Sequence, residues 1–242
     1  MGLRINTNMA AINANRNLRT NQAQIGETFE KLSSGKQINK SKDDAAGLAI
    51  SESLGTQVRS LKQAGRNAQD GISVIQVAEG GMAEVTNIVT RLRELSIQAA
   101  SDTVGNQERS YLNVEAQQLK SEIERIAQST EFNGLKLLSG AGQKLDFQVG
   151  IRNDDFLDRI SYDPSQANVN LDSLGLSGID LSSKNSSQTG LAAIDESIHK
   201  VNANRSTLGA LQSRLEKTVS AIEVANENLS AAKSRILDAD YG

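Results

Sequence analysis

From Val58 to Ala99 the chain repeats one pattern: apolar residues at steps of three and four. Val58, Leu61, Ala68, Ile72, Ile75, Ala78, Met82, Val85, Ile88, Leu92, Leu95 and Ala99 fall on one stripe, with a single step of seven across Gly65. That is a heptad-like seam, and it demands a helix. At about 1.5 Å per residue the seam alone is roughly 60 Å long. Gly65, Gly71, Gly80 and Gly81 lie inside it, and each is expected to weaken the helix by up to about 1 kcal/mol. The only proline, Pro164, lies well outside it. A helix this long with so narrow a stripe is stable only beside other helices that cover the stripe.

Three further stretches have the same periodicity. They run from about Asn6 to Leu32, Asn106 to Ser129 and Thr189 to Leu237, and the long seam helix starts near Asp44. The first carries Ile12, Leu18, Ile25, Phe29 and Leu32. Residues 130–188 read differently. Phe132-Asn133-Gly134 signals a turn. Lys144 to Val149 alternates with period two, and Arg159 to Tyr162 is a second, shorter strand candidate. The Ser-, Gly-, Asn- and Asp-rich run from Asn168 to Ser187 reads as an irregular connector. The expected fold is mainly α: a long, rod-like antiparallel helical bundle with a small β-hairpin at about 140–163. Residues 1–43 are expected to form an N-terminal helix and linker, and 44–242 the helical rod.

Composition narrows the function. Aromatics are 3%, with no Trp and four Phe, so an aromatic-lined pocket is unfavoured. Cysteine is absent, which excludes disulfides, thiolate metal sites and Cys nucleophiles. The single histidine, His199, sits in Ile198-His199-Lys200 with no second His at ligand spacing, and reads as a helix-surface residue. Asp43-Asp44 could suggest a cation site, but reads better as a cap on the long helix, where carboxylates complement the dipole. Gly140-Ala141-Gly142 lacks the Gly-Lys-Ser/Thr of a phosphate loop. The expectation is a non-enzyme with no cofactor and no metal.

Net charge is −3, which argues against a nucleic-acid partner. Residues 1–42 hold seven Lys or Arg against two Glu, so the basic charge is concentrated at the start. Arg4, Arg16 and Arg19 with Ile5, Met9 and Ile12 resemble an amphipathic transit peptide, and equally one basic helix face. No apolar run of signal-peptide or membrane-span length occurs, so no membrane insertion is expected. Met1-Gly2 is followed by Asn6 where myristoylation wants Ser or Thr.

Several segments then converge on one family. Leu32-Ser-Ser-Gly-Lys-Gln-Ile-Asn-Lys-Ser-Lys-Asp-Asp-Ala-Ala-Gly-Leu-Ala-Ile50 resembles the N-terminal signature of bacterial flagellin. So do Gln69-Asp70-Gly71-Ile72-Ser73, Gln76-Val77-Ala78-Glu79-Gly80 and Arg91-Leu92-Arg93-Glu94-Leu95-Ser96-Ile97-Gln98-Ala99-Ala100. Glu131-Phe132-Asn133-Gly134 and Phe147-Gln148-Val149-Gly150 are similar to the turn and strand that follow. Arg205-Ser206-Thr207-Leu208-Gly209-Ala210, Glu227 to Ile236 and Asp238-Ala239-Asp240 resemble the C-terminal signature. Ser213-Arg214-Leu215 stands where the family often has Asn-Arg-Leu. The short 165–188 connector leaves no room for the variable outer domains of large flagellins. The family also continues past Asp-Ala-Asp into one more amphipathic helix that pairs with the N-terminal one, so a chain ending at Gly242 is expected not to build a normal filament.

The resemblance implies a structural subunit of the flagellar filament, secreted unfolded through the export channel and located outside the cell. Implied partners are other flagellin subunits in a homopolymer, a flagellar export chaperone, the cap protein and Toll-like receptor 5. The receptor footprint would map onto Arg91, Leu95, Gln98 and Glu115; the first three share a helical face. Leu95 also continues the apolar seam, and Arg91 could serve only a salt bridge. Filament-core assembly would fall to Ile5, Met9, Ile12, Leu18, Ile25 and Leu32. A hook–filament junction protein and a soluble helical-bundle adaptor or chaperone are the alternatives, and the match from Arg91 to Ala100 favours flagellin over the first.

Overall fold

The structure, a computed structural model, describes residues 8–240. Its elements are α1 (Met9–Ser34), α2 (Ala45–Ala99), α3 (Asn106–Ser129), β1 (Glu131–Phe132), β2 (Leu135–Lys136), β3 (Leu145–Gln148), β4 (Arg159–Tyr162), α4 (Leu171–Leu174) and α5 (Lys184–Leu237). The expected mainly α fold with a small antiparallel hairpin is therefore present. Helix α5 begins five residues before the periodicity placed it. The chain divides into two compact units, Met1–Lys62 with Val224–Gly242, and Gln63–Glu223.

The first unit is built around α1 and its flanking turn. Asn8 caps α1, its Oδ1 accepting from the N–H of Ala10 and Ala11 at 3.1 Å. Gly35, at φ 70°, ends the helix in the left-handed conformation and donates to Lys31 O. The turn beyond it is tied to the end of α5: Gln37 N donates to Leu237 O at 2.8 Å and Ala239 N to Gly35 O at 2.9 Å. Lys40 pairs with Glu30 at 2.6 Å, and Lys42 with Glu27. Asp44 Oδ1 accepts from Gly47 N at 2.9 Å, the cap that its position before α2 implied. Asp43 instead closes the preceding turn, accepting from Lys40 N and Asn39 N. Those two N–H groups, Lys40's first, hold its carboxyl below the usual range.

The second unit holds the core. Helices α2 and α5 run antiparallel through it: Arg93 pairs with Asp195 at 2.6 Å, Ser96 Oγ donates to Ser187 O at 2.8 Å, and Gly65 faces Ile222. Of the α2 seam, Ala68, Ile75, Ala78, Met82, Val85, Leu92, Leu95 and Ala99 are buried, and they meet Ile194, Val201, Leu208 and Leu215 of α5. Helix α3 folds back along α2 and adds Ala116, Ile123, Ile126 and Ala127. The glycines inside α2 do not break it. At Gly71 the Phe147 ring lies 3.0 Å from where a Cβ would be, and at Gly81 Leu138 Cδ1 lies 2.7 Å away. These two sites let the β elements approach the helix.

Strands β3 and β4 pair antiparallel with Leu145 opposite Tyr162 and Gln148 opposite Arg159. Leu145, Phe147, Ile160 and Tyr162 turn inward while Asp146 and Ser161 face out, as period two requires. The Tyr162 hydroxyl donates to Leu137 O at 2.7 Å, and burial pushes its pKa up. The turn at Asn133-Gly134 carries two positive φ values, 51° and 77°, and joins the two-residue strands β1 and β2. The connector is irregular in backbone but not idle: Val169, Leu174, Leu176, Ile179 and Leu181 are all buried.

Candidate functional site

The first surface is the stripe on α1. At about 100° per residue, Leu18, Ile25, Phe29 and Leu32 share one face of α1 while Met9 and Ile12 lie on another, and all six are between 52% and 65% exposed. The helix has no buried residue along its 26 positions. Ile5, the first residue assigned to this band, lies outside the described residues. A 26-residue helix of this polarity gains nothing from packing and is marginal alone in water. Its apolar band can do one chemical thing, which is to bury itself against further apolar surface.

The second surface lies on α2 and α3 in the other unit. The Arg91 guanidinium donates to Glu115 Oε1 at 3.0 Å across the helix pair and to Glu94 Oε2 at 3.0 Å on its own helix. These carboxylates, Glu94 first, raise its pKa further and keep it charged. Arg91, Gln98 and Glu115 are exposed. Leu95 is fully buried in the core beneath them. The structure thus brings Arg91 and Glu115 together at the surface and sets Leu95 inside.

Two buried cations had no signal in the periodicity. Arg109, 7% exposed, donates to Ala99 O and Ser101 O at 2.8 Å and so satisfies the end of α2. Lys120, 6% exposed, donates through Nζ to Ser177 O at 2.8 Å and Ile179 O at 3.0 Å. Desolvation lowers its pKa. Arg109 serves the C-terminal end of a helix and Lys120 an irregular connector, and a helical pattern reveals neither partner. His199 is exposed on α5. No helix among the described residues is long and apolar enough to cross a membrane.

A third feature also escaped the pattern. The β3–β4 loop presents Phe156 and Leu157 at 82% and 70% exposure. Asp flanking an apolar pair was its sole trace in the sequence.

Comparison with known proteins matches residues 5–143 to the bacterial flagellin N-terminal helical region and residues 191–242 to the bacterial flagellin C-terminal helical region. Among curated relatives, a flagellin of Halalkalibacterium halodurans is 45% identical over 98% of this chain and 86% of its own length. A flagellar filament 33 kDa core protein of Treponema phagedenis is 40% identical over the same shares. Bacillus subtilis flagellin is 37% identical over 98% of this chain and 88% of its own. Among solved structures, Bacillus cereus flagellin superposes with a TM-score of 0.58 at 28% identity, covering 65% of this chain and 88% of that one. A putative flagellar hook-associated protein of Vibrio parahaemolyticus shares the fold, with a TM-score of 0.65 over 81% of this chain and 100% of that one, at 14% identity. The sequence agreement runs from the N-terminal helices to the Asp-Ala-Asp motif, and on it the chain belongs to the bacterial flagellin family.

Proposed function

We propose that the chain is a self-assembling structural subunit of a bacterial flagellar filament, outside the cell, and that the α1 stripe is the surface it hides in the polymer. One observation carries the assembly role: six large apolar side chains from Met9 to Leu32 stand more than half exposed on a helix with nothing buried. Relatives named as filament core proteins support it. Ile5, four residues before Met9 in the sequence, belongs to the same assembly surface. Residues 1–43 act as the assembly helix with its linker, and the remainder as the helical body with the β-hairpin.

Finer partners follow from the same reading. A secreted subunit with an exposed apolar helix needs an export chaperone to cover it before assembly and a cap protein to place it at the growing end. The exposed Arg91, Gln98 and Glu115, with Leu95 beneath, make a polar face that suits Toll-like receptor 5.

The test is a charge placed in the stripe. The double variant Ile12→Asp, Ile25→Asp should melt at the same temperature as the unmodified protein, because neither side chain is buried. With the family's further C-terminal helix restored in both, it should fail to elongate filament seeds that the unmodified protein elongates in a sedimentation assay. Elongation at the normal rate would overturn the assignment.

A further inference from the structure

We propose that the β3–β4 loop is a knob that inserts, in the polymer, into a cavity beside α5 of a second copy of this chain; the idea rests on the filament-subunit reading. The loop is held stiffly for such a role. Asp154 Oδ1 accepts from Phe156 N at 2.9 Å and Leu157 N at 2.8 Å. Asp158, 7% exposed, accepts from Asp154 N at 3.2 Å through Oδ2, and its carbonyl takes Val149 N and Gly150 N at 2.8 and 3.1 Å. Gly150 is required there, since a Cβ would fall 1.7 Å from Asp158 Oδ1. Arg159 ties the two sides, donating to Gln148 Oε1 at 3.1 Å and to Asp155 and Asn153. This network fixes the backbone that points Phe156 and Leu157 at solvent. They are the two most exposed large apolar side chains among those described.

The receiving cavity, about 480 Å³, lies at the other end of the same hairpin, against α5. Ala167, Leu208, Leu211 and Tyr162 line it, and Lys144 and Arg214 stand at its rim. Its one carboxylate, Asp163, is engaged by the N–H and hydroxyl of Ser165 at 2.9 and 2.7 Å. That volume admits a phenylalanine side chain. Residues 151–159 carry three Asp against two Arg, so a loop of net −1 meets a rim where Arg214 stands beside Lys144, itself paired with Asp146 at 3.4 Å.

Geometry favours a second copy over an unrelated partner. Knob and cavity are different surfaces of one chain, so pairing them is heterologous and propagates instead of closing into a dimer. One loop also buries too little to hold two free chains together, since stable interfaces bury about 1,200 Å² or more. The contact therefore forms where other contacts already hold the copies adjacent.

The absence of cysteine makes the test clean. Phe156→Cys and Ala210→Cys are made in separate full-length chains, mixed, polymerised on filament seeds and oxidised. Both positions are exposed, so melting temperatures should not move. Cross-linked dimers should appear in the mixed filaments and in neither variant alone. As a second measurement, Phe156→Ser, Leu157→Ser should slow elongation about ten-fold with unchanged melting. Filaments that form normally but yield no cross-link, or elongate at full rate with the double serine variant, overturn the knob and leave the subunit reading standing. Failure of the protein to polymerise on any seed, even with the family's further C-terminal helix restored, overturns both.

Discussion

Lys120 places an ammonium where helical periodicity gives no reason to expect one. It satisfies Ser177 O and Ile179 O, two carbonyls of the irregular connector that have no strand or helix to bond. Replacing it with Met keeps the aliphatic stem, strands Ser177 O and leaves Ile179 O only the Gln117 amide, at 3.1 Å. Lys120→Met should cost about 1.5–3 kcal/mol in urea unfolding. Burial lowers the folded pKa of this lysine below its ordinary value. Between the two values the unfolded chain binds more protons, so this group makes stability rise with pH across that window. The rise should vanish in Lys120→Met, and unfolding curves taken from neutral pH to about 10 check the sign. Arg91 behaves differently. Its ion pairs with Glu94 and Glu115 are solvent-exposed, so Arg91→Ala should leave the melting temperature nearly unchanged. If this face binds the receptor, activation by monomer should fall about ten-fold or more, as at arginine hot spots. Falls in stability and activation that track each other would assign Arg91 to structure alone.

Helix α2 shows what a seam can and cannot reveal. Most of its buried face, from Ala68 to Ala99, lies where steps of three and four place it, but Val74 and Val89 are buried outside that stripe while Ile72 and Ile88 are only half-buried. The same arithmetic locates α3 and most of α5. Glycine was the misleading letter: four glycines read as weak points, yet two are contact points. Gly81 has Leu138 Cδ1 and Thr130 Oγ1 both 2.7 Å from an added Cβ, while Gly80 has nothing within 4 Å. Gly80→Ala should therefore stabilise by about 0.5–1 kcal/mol. Gly81→Ala should lose that gain to the displaced neighbours and come out less stable than the original. Thermal melts of the two variants separate the effects, since helix propensity changes identically. The hairpin was legible from Lys144-to-Val149 alternation. The core contribution of Val169, Leu174, Leu176, Ile179 and Leu181 was not, because irregular backbone has no period to betray which side chains turn in. For the same reason the connector's polar composition concealed its role.

At the scale of the whole molecule, one surface stands out as unfinished. Helix α1 carries Met9, Ile12, Leu18, Ile25, Phe29 and Leu32 in the open, while the second unit buries its own apolar seam completely at Ile75, Met82, Leu92 and Leu95. The apolar surface of α1 was legible in the sequence, with Leu18, Ile25, Phe29 and Leu32 on one face and Met9 and Ile12 on another. Its exposure was not, since a pattern does not say what covers it. The residues proposed for a receptor face come from family resemblance alone, and no period marks Phe156 and Leu157. The central claim is that copies of the chain supply the cover that α1 lacks. Amide hydrogen exchange over residues 9–34, read first in dilute monomer and then in assembled filament, tests it directly. A lone marginal helix should exchange within about ten-fold of an unfolded segment, and assembly should slow the same amides by orders of magnitude. Strong protection in the monomer, or filaments in which α1 still exchanges freely, would contradict the account.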